Sequence, residues 1–171
     1  MDGKTRRTYI LQTLQQTTAP VTGSALAAHC QVSRQIIVGD VALLRAAGKN
    51  IISTARGYQL LEKENKEPVR AFVCRHGRDK MAAELNAIVD NGGVVRNVVI
   101  EHEVYGTLEG TLQLHSRRDV SQYLQKMESS QAPLLSSISC GIHTHVVEAE
   151  SEEDLDAVAR ALAQLGVLYR G

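Results

Sequence analysis

Apolar positions in the first sixty residues recur at helical spacing. Ile10, Leu11 and Leu14 mark the buried face of a first helix, and Leu26, Ala27 and Cys30 that of a short second one, entered through the turn Pro20-Val21-Thr22-Gly23-Ser24. Gln31-Val32-Ser33 then makes a tight turn, and the Ser33 hydroxyl can accept an amide hydrogen at the start of a third helix. That helix runs to about Ala47. Its apolar residues Ile37, Val41 and Leu44 sit at i, i+4 and i+7, and Gly48 can supply a left-handed residue after its end. Ile51-Ile52 and Tyr58-Gln59-Leu60-Leu61 read as short strands joined through residues 53–57, the shape of a hairpin. Three helices and a hairpin, in that order, predict a winged helix-turn-helix.

The polar run Glu62-Lys63-Glu64-Asn65-Lys66-Glu67-Pro68 breaks the patterning and ends in a proline, which cannot donate to a helix or central strand. A linker over residues 63–68 is expected, separating a domain over 1–62 from another over 69–171. In the second part, Val69 to Cys74 reads as a strand, Asp79 to Val89 as a helix, and Val94 to Ile100 as a strand entered from Asp90-Asn91-Gly92-Gly93. Gly110 to Leu114 can pair with that strand as a hairpin. A helix follows over Ser116 to Met127, then a strand over Ile142 to Val147, then a helix opened by the capping pair Ser151 and Asp154. The order β-α-β-β-α-β-α predicts an α/β open-faced sandwich, and the chain as a whole belongs to the α+β class.

Composition sharpens this division. A chain of 171 residues suits two small domains. Its 19 basic and 19 acidic side chains cancel overall, but residues 1–62 hold seven Lys/Arg against three acids, and the remainder twelve against sixteen. One half is basic and the other acidic, so a polyanionic partner is expected for the first half alone. Cysteines 30, 74 and 140 are too scattered for a disulfide framework and fit core thiols in a reducing cytoplasm. No apolar run approaches the roughly 20 residues that span a bilayer, so a soluble protein without a membrane partner is expected.

The third helix carries the chemistry for reading double-stranded DNA. A major groove about 12 Å wide admits one helix, and base edges are read from its N-terminal end. Arg34 can bridge the two acceptors of guanine, Gln35 the donor and acceptor of adenine, and the Ser33-capped terminus attracts phosphate. Arg45, Lys49 and Arg56 at the wing tip suit the phosphate backbone, where contacts give affinity and register but no sequence information. The competing expectation is a three-helix module that only packs or binds protein.

In the acidic half, His143 and His145 alternate on a strand and so present two imidazoles to one face. His76 follows the first strand, and Glu84 lies eight residues later in the next helix, within reach of the same sheet edge. Three nitrogens and a carboxylate suit a divalent transition metal such as Zn, Ni, Fe or Mn. A His-x-His pair can equally be exposed or hydrogen-bonded within a fold, and Cys74 or Cys140 can compete for the place of Glu84. His102 lies within reach of a second shell.

Residues 32–38, Asp40 through Ala46 and Arg56-Gly57-Tyr58 resemble the helix-turn-helix of bacterial niacin-responsive repressors. Residues 90–93, His102 to Gly106 with Tyr105, and residues 141–145 are similar to the three-histidine (3H) domain of that family. The resemblance implies a C-terminal domain like the histidine-containing phosphocarrier fold, with one metal held by His76, Glu84, His143 and His145. It also implies nicotinic acid as co-repressor, repression of genes for NAD synthesis or niacin uptake, and a homodimer on a DNA operator. Glu103 stands where members often have proline.

On this reading the pyridine nitrogen of nicotinate takes an open position on the metal, with Arg75 or Arg96 near its carboxylate and His102 and Tyr105 as further ligand contacts. Ligand binding then biases the spacing of two DNA-binding domains. The alternatives are a repressor that senses the metal itself, and a metalloenzyme with a DNA-binding appendage. No nucleophile elbow, phosphate loop or zinc-protease motif supports the enzyme. A phosphocarrier role for His76 leaves the pair at 143 and 145 without a purpose.

Overall fold

A computed structural model describes residues 1–61 and 67–171, and the chain divides into two compact units, Met1–Asn65 and Lys66–Gly171. The linker expected over 63–68 lies largely outside the described residues.

In the first unit, α1 (Gly3–Gln15), α2 (Gly23–Cys30) and α3 (Arg34–Ala46) precede the antiparallel strands β1 (Ile51–Thr54) and β2 (Gly57–Leu60). Each helix starts on a side-chain cap: Asp2 accepts from Lys4 N and Thr5 N, Thr22 from Ala25 N, and Ser33 from Ile36 N. The turn before α3 closes on Gln31 in the left-handed conformation (φ 55°). Ile10, Leu14, Leu26, Ile37, Val41 and Ile51 form the centre of one apolar core. Asp40 is buried among them on α3 and takes ion pairs from Arg6 and Arg7 of α1, so two of the seven bases of residues 1–62 neutralise an internal carboxylate. Gly57 at the wing cannot be replaced cheaply, since a Cβ there would lie 2.4 Å from the Val21 carbonyl oxygen.

The second unit runs β3 (Val69–Arg75), α4 (Met81–Asp90), β4 (Val94–His102), β5 (Gly106–Leu114), α5 (Arg117–Ser129), β6 (Ile142–Glu148) and α6 (Glu152–Leu165). The predicted order β-α-β-β-α-β-α holds. A 3-10 turn at Arg78–Lys80 leads into α4, and another at Leu135–Ser139 leads into β6. The sheet is antiparallel throughout, in the order β3-β6-β4-β5. Strand β5 begins four residues before the apolar pattern does, because it is an edge strand whose first half, Gly106 to Glu109, pairs through its backbone and buries little.

Helices cover one face of this sheet. Phe72 and Cys74 of β3, His143, His145 and Val147 of β6, and Val95 of β4 all turn inward, against Leu85 and Ile88 of α4 and Leu155, Val158 and Leu162 of α6. The opposite face keeps Val69 and Val73 accessible. The open-faced α+β architecture is therefore the one observed. Strand alternation brings two histidines into the apolar layer under α4, where an unpaired polar group is costly.

Candidate functional site

Three chain segments deliver imidazoles to one carboxylate. Glu84, in the first turn of α4, is 1% exposed. Its Oε2 lies 2.6 Å from His76 Nε2, and its Oε1 lies 2.9 Å from His143 Nε2 and 3.4 Å from His145 Nε2. His76 and His143 meet edge to face, as do His143 and His145.

The other ring nitrogens are fixed by main-chain carbonyls. His76 Nδ1 donates to Gly77 O (2.7 Å), His143 Nδ1 to Gly141 O (2.9 Å), and His145 Nδ1 to Asn97 O (2.6 Å). A carbonyl only accepts, so all three Nδ1 atoms carry hydrogen. In the neutral rings every Nε2 then presents a lone pair toward Glu84. Lone pairs facing an anion repel unless each ring gains a second proton or a cation lies between them. The donor set, all Nε2 plus a carboxylate with each ring oriented by a carbonyl behind it, fits a transition metal.

Two backbone features make these bonds possible. Strand β4 carries one extra residue between Val95 and Val99 relative to β6, and this bulge coincides with Asn97, whose carbonyl serves His145. The Asn97 side chain is also used, its Oδ1 accepting from Val146 N and its Nδ2 donating to Glu109. Cys140 and Gly141 both have left-handed backbone (φ 53° and 83°), turning the chain so that Gly141 O accepts from both His76 N and the His143 ring. A Cβ on Gly141 would sit 2.8 Å from the His76 carbonyl oxygen. Neither carbonyl's role follows from strand periodicity, although Gly141 opens the segment 141–145 and an asparagine inside the apolar run 94–100 is a visible irregularity.

Cys74 lies opposite His143 in the β3–β6 register and is fully buried. Its Sγ, a Glu84 oxygen and a His143 nitrogen all lie within 4.8 Å of one another. Burial, and then the charge of Glu84, push the thiol pKa well up, so it stays protonated beside the carboxylate. Cys140 is exposed and outside this group.

Protonation in the metal-free unit follows from the same contacts. Burial favours the neutral form of Glu84, but hydrogen bonds from His143, His145 and His76 outweigh it and hold the carboxyl well below its usual range. For His76, burial opposes the charged ring, while the bonds to Glu84 and Gly77 prevail and raise its pKa. The raised His76 value stabilises the fold at pH below about 6.5, and this contribution is lost as pH climbs through the raised value. The depressed Glu84 value contributes above about pH 4.3 and is lost as pH falls through it. Urea unfolding in chelator should therefore show the metal-free protein more stable at pH 5.5 than at pH 8.5; the reverse order refutes the His76–Glu84 pairing.

A cavity of about 420 Å³, counting solvent at its mouth, adjoins the cluster. His76, Glu84, His143 and His145 form one wall, and Met81, Leu85, Val98, Leu112, Leu134 and Leu135 supply apolar sides, with Tyr123 and Ser136 completing it. The four residues expected around a ligand are placed elsewhere. Arg75 is an exposed residue at the end of β3, and Arg96 leans on Glu148 at 3.7 Å. His102 Nδ1 accepts from Val104 N and Tyr105 N at the β4–β5 hairpin tip, where Tyr105 is 74% exposed. None of them lines this cavity. Tyr123 and Ser136, which do, carry no sequence signal beyond their position in a helix and a polar loop.

In the first unit, Ser33 caps α3, and Arg34 and Gln35 are exposed in its first turn. Val38 and Leu43 are exposed further along the same helix. Lys49 is exposed, and Arg56 occupies the two-residue turn between β1 and β2. Arg45 is committed inward: its Nε donates to Ile51 O and its Nη2 to Ser53 Oγ, so it ties α3 to the wing. Among the described residues no helix is long and apolar enough to cross a membrane.

Residues 6–59 match the family model of an HTH domain and residues 69–171 that of the 3H domain, so the chain is a two-domain protein joining a helix-turn-helix to a 3H domain. It is 37% identical to the transcription repressor NadR of Bacillus subtilis over 98% of this chain and 95% of the relative. It is 36% identical to the probable transcription repressor NiaR of Thermotoga maritima over 93% of this chain and 90% of the relative. The chain belongs to this family of HTH–3H proteins.

Proposed function

We propose that the protein is a DNA-binding transcriptional repressor, not an enzyme, whose 3H domain holds one divalent transition metal on His76, Glu84, His143 and His145. The observation that carries the metal is the convergence of three Nδ1-anchored imidazoles, Nε2 first, on one buried carboxylate. The two relatives named as transcription repressors support the regulatory role. Ni, Zn, Fe and Mn all accept this donor set. Held by these four residues, the metal would supply a Lewis acid; the chain's own residues fix the ligand nitrogens through Gly77, Gly141 and Asn97 and shape the space beside them.

Nicotinic acid is the proposed co-repressor, and the regulated genes are those of NAD synthesis or niacin uptake. A flat aromatic ring suits the leucine-rich walls, and a pyridine nitrogen is a ligand of the kind transition metals take. The repressor acts in the cytoplasm as a homodimer on a symmetric operator, which presents matching half-sites to two recognition helices. The ligand acts only if it binds the DNA-competent state more tightly than the incompetent one.

Titrating nicotinic acid into metal-loaded protein on operator DNA tests this, with DNA affinity as the readout. Tightening by at least about fivefold, the low end of typical allosteric coupling, is expected. DNA affinity that follows metal and ignores nicotinate replaces this reading with a metal-responsive repressor.

A further inference from the structure

We infer that Cys74 is a further donor to the ion held by His76, Glu84, His143 and His145, and that its sulfur makes this centre select thiophilic metals such as zinc over manganese. This rests on the proposal that those four residues bind a metal.

Among the described residues, the Cys74 sulfur, a Glu84 oxygen and a His143 nitrogen form a set of potential ligand atoms within 4.8 Å of one another. Zinc binds thiolate at about 2.3 Å and imidazole at about 2.0 Å, so one ion spans a sulfur and a nitrogen up to about 4.3 Å apart, and the set lies within a small adjustment of that limit. Cys74 is fully buried and is not part of the cavity lining, so its ligation leaves the walls of that space unchanged.

The sulfur is held where it is by main-chain pairing on both sides. Cys74 stands opposite His143 of β6, and residues directly opposite on antiparallel strands have Cβ atoms about 4.5–5.5 Å apart. On its other side it bridges to Leu168 beyond α6, with Arg75 N donating to Val167 O and Tyr169 N to Val73 O. A cysteine has one side-chain rotor, so a pinned backbone leaves its sulfur only a few staggered positions. A thiol that merely fills a core needs apolar neighbours, as Cys30 has among Ile10, Leu14 and Leu26. Cys74 sits instead against the carboxylate that gathers the imidazoles.

Sulfur changes what the centre prefers. Imidazole serves Zn, Ni and Fe alike and carboxylate suits Mn, whereas thiolate is a soft donor that favours zinc and gives manganese little. On ligation the sulfur–hydrogen bond breaks, the sulfur–metal bond forms and the proton passes to solvent.

Cobalt(II) loading of the reduced full-length protein provides the test, because thiolate bound to cobalt absorbs strongly in the near ultraviolet by charge transfer and imidazole and carboxylate do not. The wild type is expected to show this band, and Cys74→Ser to bind cobalt without it. Cys30→Ser and Cys140→Ser should keep it. In competition titrations, Cys74→Ser is expected to weaken zinc by about 100-fold, the upper end of the loss from removing an outer partner of a metal ligand, and manganese by less than about tenfold, its lower end. Cys74→Ala repeats both measurements should serine disturb folding, and the wild-type spectrum needs no variant at all. Cobalt bound by the wild type without the band, a band that survives in Cys74→Ser or Cys74→Ala, or equal losses of zinc and manganese overturns the assignment of Cys74 and leaves the four-residue centre standing. Failure of the wild type to bind either zinc or cobalt overturns that centre and this assignment with it.

Discussion

Replacing Glu84 with alanine is expected to lower transition-metal affinity by more than about 100-fold, since losing even an outer hydrogen-bond partner of a metal ligand costs roughly 10–100-fold. Glu84 is the one group that contacts all three imidazoles, and it is the site's negative charge. Without it a dication would rest on three neutral rings in a layer walled by leucines. The metal-free protein should suffer as well. At pH 5.5, where the raised His76 pKa keeps that ring charged, removing the buried counter-charge should cost about 3–5 kcal/mol, falling toward alkaline pH as the ring gives up its proton. Metal analysis with urea unfolding at pH 5.5 and 8.5 separates the two effects. Glu84→Gln keeps the volume, so any difference between the variants isolates charge from packing. Residual metal binding in Glu84→Ala that vanishes in a Glu84→Ala/Cys74→Ala double variant identifies the neighbouring thiol as a substitute ligand. Wild-type metal affinity in that double variant rejects the site.

Much of this centre was legible because strand periodicity is simple. Residues 143 and 145 share a face whatever the details, and that face is the inward one because Val147 continues it. Glu84 was legible by its place in the helix after the first strand. What could not be read was the carbonyl behind each ring. Asn97 reaches His145 through a one-residue bulge, and Gly141 reaches His143 through two left-handed residues; neither displacement leaves a periodic trace. That Arg75 and Arg96 lie off the cavity has a related cause. The inward-facing neighbours of these arginines are Cys74 and Val95, and on a strand a residue one position away points to the opposite face. Tyr123 and Ser136 reach the cavity from α5 and the turn before β6, segments distant in sequence. In the first unit, caps and core spacing fixed the fold in advance, while the commitment of Arg45 to Ile51 and Ser53 depended on where the wing folds back.

That commitment sharpens what to expect from the recognition helix. Arg34→Ala and Gln35→Ala should each cost about 1–3 kcal/mol of operator affinity and relax discrimination at one base pair, as expected for side chains that pair bidentately with a base edge. Both residues are exposed in the first turn of α3, so the loss should come without a change in thermal unfolding. Lys49→Ala should behave differently, weakening operator and random DNA alike and reducing the salt slope by about one ion. Arg45→Ala belongs with neither, because its guanidinium holds the wing: it should lower stability together with affinity. Binding isotherms at several salt concentrations, on operator and single-base variants, distinguish the three behaviours. If Arg34→Ala and Gln35→Ala weaken all sequences equally, this end of α3 contacts phosphate, and base reading must come from further along the exposed face that carries Val38 and Leu43.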